Sequence, residues 1–156
     1  IPDHGGNPGF CNMYMALAAL PADLRAKLEG LSIKHDSSMT SGGFLRAGMD
    51  EVTDVSKCPG AIHPIIRTHP ESGREVLYLG RRLNAYIMGM PVDESEALLD
   101  EIWKYTTRDE HIWHHQWQVG DVVFWDNRTV MHRRDAFDAG QRRVMHRTQI
   151  GDRPAA

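Results

Sequence analysis

Cysteine is scarce in this chain: its 156 residues hold two, Cys11 and Cys58, which at most form one bridge and show no metal-type spacing. A reduced, cytoplasmic protein is the expectation. No apolar run approaches the roughly 20 residues needed to cross a bilayer, and the start has no signal-peptide pattern, so no membrane partner is expected. Basic charge is not in excess either, since the formal net charge is −3, and this leaves no broad cationic surface for nucleic acid. Internal repeats and low-complexity tracts are absent. So is an initiator methionine: Ile1-Pro2-Asp3-His4-Gly5-Gly6 reads like the middle of a loop, and an N-terminal part is expected to be missing.

What is present suits one domain over residues 1–156, with 41% hydrophobic and 25% charged residues. Asn12 is a good N-cap for a helix from Met13 to Leu20, and Pro21 fits the start of a second from Ala22 to Glu29, closed by Gly30. Leu31 to His35 reads as a strand, and 36–57 as a polar, irregular stretch of the kind that forms a lid. Ile62 to Thr68 reads as a strand at a sheet edge because of Pro64, followed by a turn at His69–Gly73 into the strand Arg74–Leu79. Asp93-Glu94-Ser95-Glu96 has the form of a capping box for a helix from Glu94 to Thr106, with Ala97, Leu98, Ile102 and Tyr105 on its apolar face. Strands outnumber long helices, so the expected class is α+β, mainly β, with helices flanking a sheet sandwich.

The chemistry concentrates near the end. An apolar strand, Val122 to Trp125, runs into Asp126-Asn127-Arg128 and then His132; after a loop at 135–140 a second strand spans Gln141 to Thr148. Strand alternation puts Arg143, Met145 and Arg147 on one face. Two guanidiniums spaced about 13 Å apart suit two anionic groups on either side of a reacting centre, and His132 would supply a nitrogen ligand or a proton.

The run WDNRTVMH, the spacing from His132 to Arg143 and the ending QRRVMHRTQIGDRP resemble the taurine dioxygenase (TauD/TfdA) family, with similarity extending from about Gly5 to Pro154. The resemblance implies a double-stranded β-helix (jelly-roll) core and a non-haem iron(II), 2-oxoglutarate-dependent dioxygenase that hydroxylates a small anionic substrate using O2. By position, His132 resembles the distal histidine ligand of iron, Arg143 the arginine that holds the far carboxylate of 2-oxoglutarate, and Arg147 the arginine that meets the acidic group of the substrate. Leu83 stands where the taurine enzyme has a pocket aromatic, near Arg81, Arg82 and Tyr86. The other two iron ligands, an H-x-D or H-x-E motif, are expected upstream, so the chain alone is expected to be inactive. Pro8 stands where relatives place a threonine that binds 2-oxoglutarate, and it offers no donor. A homo-oligomer is expected.

His69-Pro70-Glu71 is the single H-x-D/E string, but it leads into a Ser-Gly turn and is rejected as the iron motif; His35-Asp36 is set aside because adjacent strand side chains face opposite ways. Two rival readings remain. One is a cupin-like metal enzyme whose site is built from His111, His114, His115 and His132. The other is a non-catalytic, truncated barrel that binds an anion through Arg143 and Arg147.

Overall fold

The structure is a computed structural model that describes residues 5–40, 42–80 and 82–151. Arg81 and the last residues of the terminal motif, 152–154, lie outside the described residues. The elements are β1 (Pro8–Asn12), α1 (Met13–Ala18), α2 (Ala22–Leu28), β2 (Ser32–Asp36), β3 (Gly60–Pro64), β4 (Ile66–Thr68), β5 (Glu75–Leu77), β6 (Tyr86–Ile87), α3 (Val92–Thr106), β7 (Ile112–His114) and β8 (Val130–Arg134). All pairings between these strands are antiparallel. One sheet has β1 between β7 and β8, a second has β2 between β3 and β6, and β4 with β5 forms a hairpin.

Of the two N-terminal helices, α1 is capped by a side chain, whereas α2 follows Pro21 without a side-chain cap. Asn12 Oδ1 accepts from the Tyr14 and Met15 backbone N–H groups at 3.0 and 3.3 Å, satisfying two of the donors that a helix start leaves open. Leu17, Leu20, Leu24 and Leu28 then pack with Ile33, Ile65, Leu77, Ile87, Leu99 and Ile102 into one buried cluster. The two cysteines are free and buried, and each thiol donates to a carbonyl, Cys11 to Thr106 and Cys58 to Asn84. No helix among the described residues is long and apolar enough to cross a membrane.

The expected strand from Ile62 to Thr68 divides at Ile65. That residue is fully buried, donates to Leu31 and accepts from Tyr78, so the chain turns there from one sheet to the next. Pro64 does end an edge strand, β3. At the other end of β3, Gly60 has φ +148°, and a Cβ there would sit 1.8 Å from the His35 carbonyl oxygen, so only glycine allows this approach.

The capping box at Asp93 does not form. α3 starts earlier, behind Pro91, whose fixed φ of −53° suits a helix entry, and no side chain caps it. Asp93 and Glu94 become first-turn acids, favourable against the helix dipole. Ser95 turns inward, where its Oγ accepts the Ile87 N–H at 2.9 Å. The buried face is therefore Ser95, Leu99, Ile102 and Thr106, and Ala97 is exposed.

Neither C-terminal strand forms. Residues 122–125 and 141–148 have no ladder partners among the described residues, and Val122, Phe124 and Ile150 are each more than four-fifths exposed. A strand exists only when a neighbour takes its backbone hydrogen bonds, and here no neighbour lies alongside. The expected common strand face for Arg143, Met145 and Arg147 is absent for the same reason.

Candidate active-site residues

Because Phe10 sits opposite His132 in the β1–β8 ladder, the central strand of the first sheet fixes the height of the imidazole. The His132 residue is exposed, yet its ring lies 5.0 Å from the Trp125 ring and 6.3 Å, stacked, from Phe10. Trp125 and Phe10 pack on each other at 5.0 Å, completing an aromatic niche. Partial burial in this niche, and then the nearby Arg147 guanidinium, lower the pKa of His132. Its neutral form, the one that ligates a metal, is thereby favoured.

Arg143 is half-buried, and its Nε has no hydrogen-bond partner among the described residues. Its guanidinium carbon lies 5.9 Å from the Phe137 ring centroid, with Arg134 over the same ring at 4.6 Å. Burial, and then the Arg134 charge, make the Arg143 cation less favourable than in water. Two guanidiniums around one ring, with an unpaired donor between protein groups, form a place that an anion would relieve. Arg147 is exposed beside His132.

Leu83 is about half exposed on the turn before β6, next to Asn84, whose φ is +55°. Of its neighbours, Arg82 is committed elsewhere: it pairs with Glu96 at 2.7 Å and Asp100 at 2.8 Å, tying the turn to α3. Tyr86 is buried and donates its hydroxyl to the Met90 carbonyl at 2.6 Å. The polar stretch expected as a lid is largely exposed loop. A cavity of about 380 Å³ is lined by its residues 48–54 with Lys57, Cys58 and Pro59, and by none of His132, Arg143, Arg147 and Leu83.

The multi-histidine alternative is not assembled. His111 is buried and satisfied, its Nδ1 3.1 Å from the Thr106 carbonyl; His114 is exposed; His115 packs against Trp117 and approaches Asp121 at 3.0 Å. Among the described residues no three His, Cys, Asp or Glu side chains come together in a way that would hold a metal. His35 and Asp36 part company as expected. His35 packs edge-on to His63 at 5.3 Å, and the buried Asp36 accepts from the Ser38 N–H at 2.8 Å and hydroxyl at 2.7 Å.

The His69-Pro70-Glu71 string has a different task, which its sequence did not reveal. The Ser72 backbone N–H donates to His69 Nδ1 at 3.2 Å, so Nε2 carries the ring hydrogen and donates to Asp126 Oδ2 at 2.9 Å. Asp126 is also gripped by Arg128, with Nη2 at 2.7 Å and Nε at 3.0 Å, while Arg128 Nη1 reaches Glu71 at 3.0 Å. The Arg128 guanidinium holds the Asp126 carboxyl well below the usual carboxylate range; burial opposes this, and His69 adds to it. The signal in the sequence was the Asp-x-Arg spacing at 126 and 128, which places acid and base on one tight turn.

A family model described as "Taurine catabolism dioxygenase TauD, TfdA family" matches residues 1–149. The chain is 38% identical over 153 residues to an alpha-ketoglutarate-dependent 2,4-dichlorophenoxyacetate dioxygenase of Cupriavidus pinatubonensis, covering 97% of this chain and 52% of that protein. It is 35% identical to an (S)-phenoxypropionate/alpha-ketoglutarate-dioxygenase of Sphingobium herbicidovorans, covering all of this chain and 56% of that one. The solved structure of AAD-2 in complex with Mn(II) and N-oxalylglycine superposes with a TM-score of 0.75 at 33% identity, covering 90% of this chain and 55% of the other. The chain thus spans about half the length of the curated relatives it matches.

Proposed function

Because this chain belongs to the TauD/TfdA family, we propose that it works as part of an iron(II)- and 2-oxoglutarate-dependent dioxygenase acting on a small anionic organic compound. The remaining iron ligands and the strands that would close a jelly-roll barrel come, in this reading, from polypeptide outside these residues. Relatives of about twice the length support that arrangement.

Iron suits the donor available: His132 is an accessible imidazole favoured in its neutral form, and one such ring is a third of a two-histidine, one-carboxylate set. When bound, the metal supplies the oxygen chemistry that protein side chains lack. The residues of this chain supply geometry. His132 offers its lone pair from a ring steadied by Trp125 and Phe10. Arg143 takes the far carboxylate of 2-oxoglutarate in a two-pronged hydrogen bond, and Arg147 takes the acidic group of the substrate while its charge helps keep His132 unprotonated. Leu83 lines the substrate side. Holding both anions beside one metal turns an encounter of three bodies into a reaction within one complex. The observation that carries this reading is Arg143, a partly buried cation with an unpaired Nε and no carboxylate beside it among the described residues.

Two relatives named for aryloxyacid substrates, with a sulfonate dioxygenase and an alkylsulfatase among the others, point to an aryloxy acid, sulfonate or sulfate ester. The test uses the natural full-length polypeptide. Anaerobic Fe(II) and 2-oxoglutarate should produce a weak visible charge-transfer band, and Arg143→Ala should weaken it. Release of succinate across a panel of these acids then identifies the substrate class. A full-length protein that binds 2-oxoglutarate equally well without Arg143 refutes the role given to that residue.

A further inference from the structure

The hairpin formed by β4 and β5 is joined to the turn before β8 by an exposed ion pair, Arg128 to Glu71 at 3.0 Å, and by a buried donor, His69. The His69 side chain is 10% exposed, and its Nε2 hydrogen goes to Asp126 Oδ2. Asp126 in turn organises its turn: its carboxylate accepts the Arg128 N–H at 2.8 Å, and its carbonyl accepts the Thr129 N–H at 3.1 Å. The Thr129 carbonyl accepts from Met13 at 3.0 Å, and one residue later the β8 ladder with β1 begins. On the other side of Asp126 stands Trp125, whose ring lies against the His132 imidazole. The aspartate therefore sits between the strand that carries His132 and the ring that steadies it.

We infer that His69 and Asp126 are positioning residues for His132. Their hydrogen bond fixes the Trp125–Arg128 turn, and with it the register and ring orientation of the imidazole, from outside the metal pocket. This role rests on the reading of His132 as a metal ligand. It differs from a direct ligand role for His69, whose Nε2 hydrogen is spent on Asp126 and whose acidic neighbours are both held by Arg128. Loss of a group hydrogen-bonded directly to a metal ligand typically weakens metal binding about 10- to 100-fold; His69 and Asp126 act through the Trp125 turn, so the lower end applies.

The test measures Mn(II) binding by electron paramagnetic resonance in the full-length protein, with no turnover, well below the unfolding midpoint of each variant. His69→Leu is expected to bind Mn(II) about tenfold more weakly. His69→Gln keeps an N–H donor near Asp126 and should recover most of that loss, a rescue that simple damage to packing would not give. Equal binding by wild type and His69→Leu overturns the inference, and so does an equal loss in the Gln and Leu variants. Asp126→Asn provides a second arm should His69→Leu fail to fold: it gives up part of the Arg128 grip, weakened binding is expected, and unchanged affinity overturns the inference. Wild-type protein that binds no Mn(II) overturns the dioxygenase reading together with this inference, whereas normal wild-type binding with insensitive variants overturns this inference alone.

Discussion

Replacing Arg143 by methionine should strengthen the ligand-free protein while removing its grip on 2-oxoglutarate. The unbranched methionine side chain still packs against Phe137, but the charge and the unpaired Nε are gone. A buried donor left without a partner costs about 1–3 kcal/mol, and Arg143 is only half-buried, so the lower end applies. Relief of the repulsion from Arg134 acts in the same direction. The expected gain is about 1 kcal/mol, a rise of roughly 2 °C in Tm for a full-length protein of about twice this chain's length. Truncating one partner of a hydrogen-bonded charge pair costs about 2–5 kcal/mol of binding, so 2-oxoglutarate affinity should fall at least about 30-fold. Thermal melting with and without 2-oxoglutarate reads both effects: the variant melts higher than wild type alone, and the ligand raises its midpoint much less than it raises that of wild type. A variant that melts lower without ligand would show that Arg143 already has a stabilising partner, and a preserved ligand shift would place the carboxylate anchor elsewhere.

Two further outcomes concern the frame around the site. Burial first, and then the His63 and Arg67 charges, push His35 down from 6.5 to about 4, so the unfolded chain binds more protons between those values and stability rises with pH across that window. His35→Gln should flatten the rise, by on the order of 2 kcal/mol after allowing for partial exposure, in urea melts at pH 4 and pH 7; an unchanged slope would disprove the assignment. Ser95→Ala leaves the Ile87 N–H without its acceptor inside the core and should cost about 2 kcal/mol in urea denaturation. A loss under about 0.5 kcal/mol would mean that the N–H finds another acceptor.

How much of this the sequence disclosed depended on whether the signal was local. Asn12 announced its helix because a cap acts on donors two and three residues away. At Asp93 the same kind of local signal misled, since Pro91 could start the helix earlier and the buried Ile87 N–H claimed Ser95. Pro64 did mark an edge strand, but nothing near Ile65 foretold that the chain would change sheets there. The apolar run Val122–Trp125 and the alternation at Gln141–Thr148 read as strands and are not strands in the structure, because a strand also needs a neighbour and pattern alone does not provide one. The candidate site residues came from a motif. Its Asp126 and Arg128 acquired a physical meaning only when His69, 57 residues earlier in the chain, appeared beside them.

The bare side chains of Val122, Phe124 and Ile150, together with the outer edges of β7 and β8, bear on how this polypeptide behaves in a test tube. Greasy patches next to open backbone edges recruit other copies as readily as they recruit their proper cover. Expressed by itself, the segment should stick to itself at ordinary working concentrations. Co-expression with a complementary fragment should keep it in solution, and charged substitutions at Val122 and Phe124 should do so at the expense of that pairing.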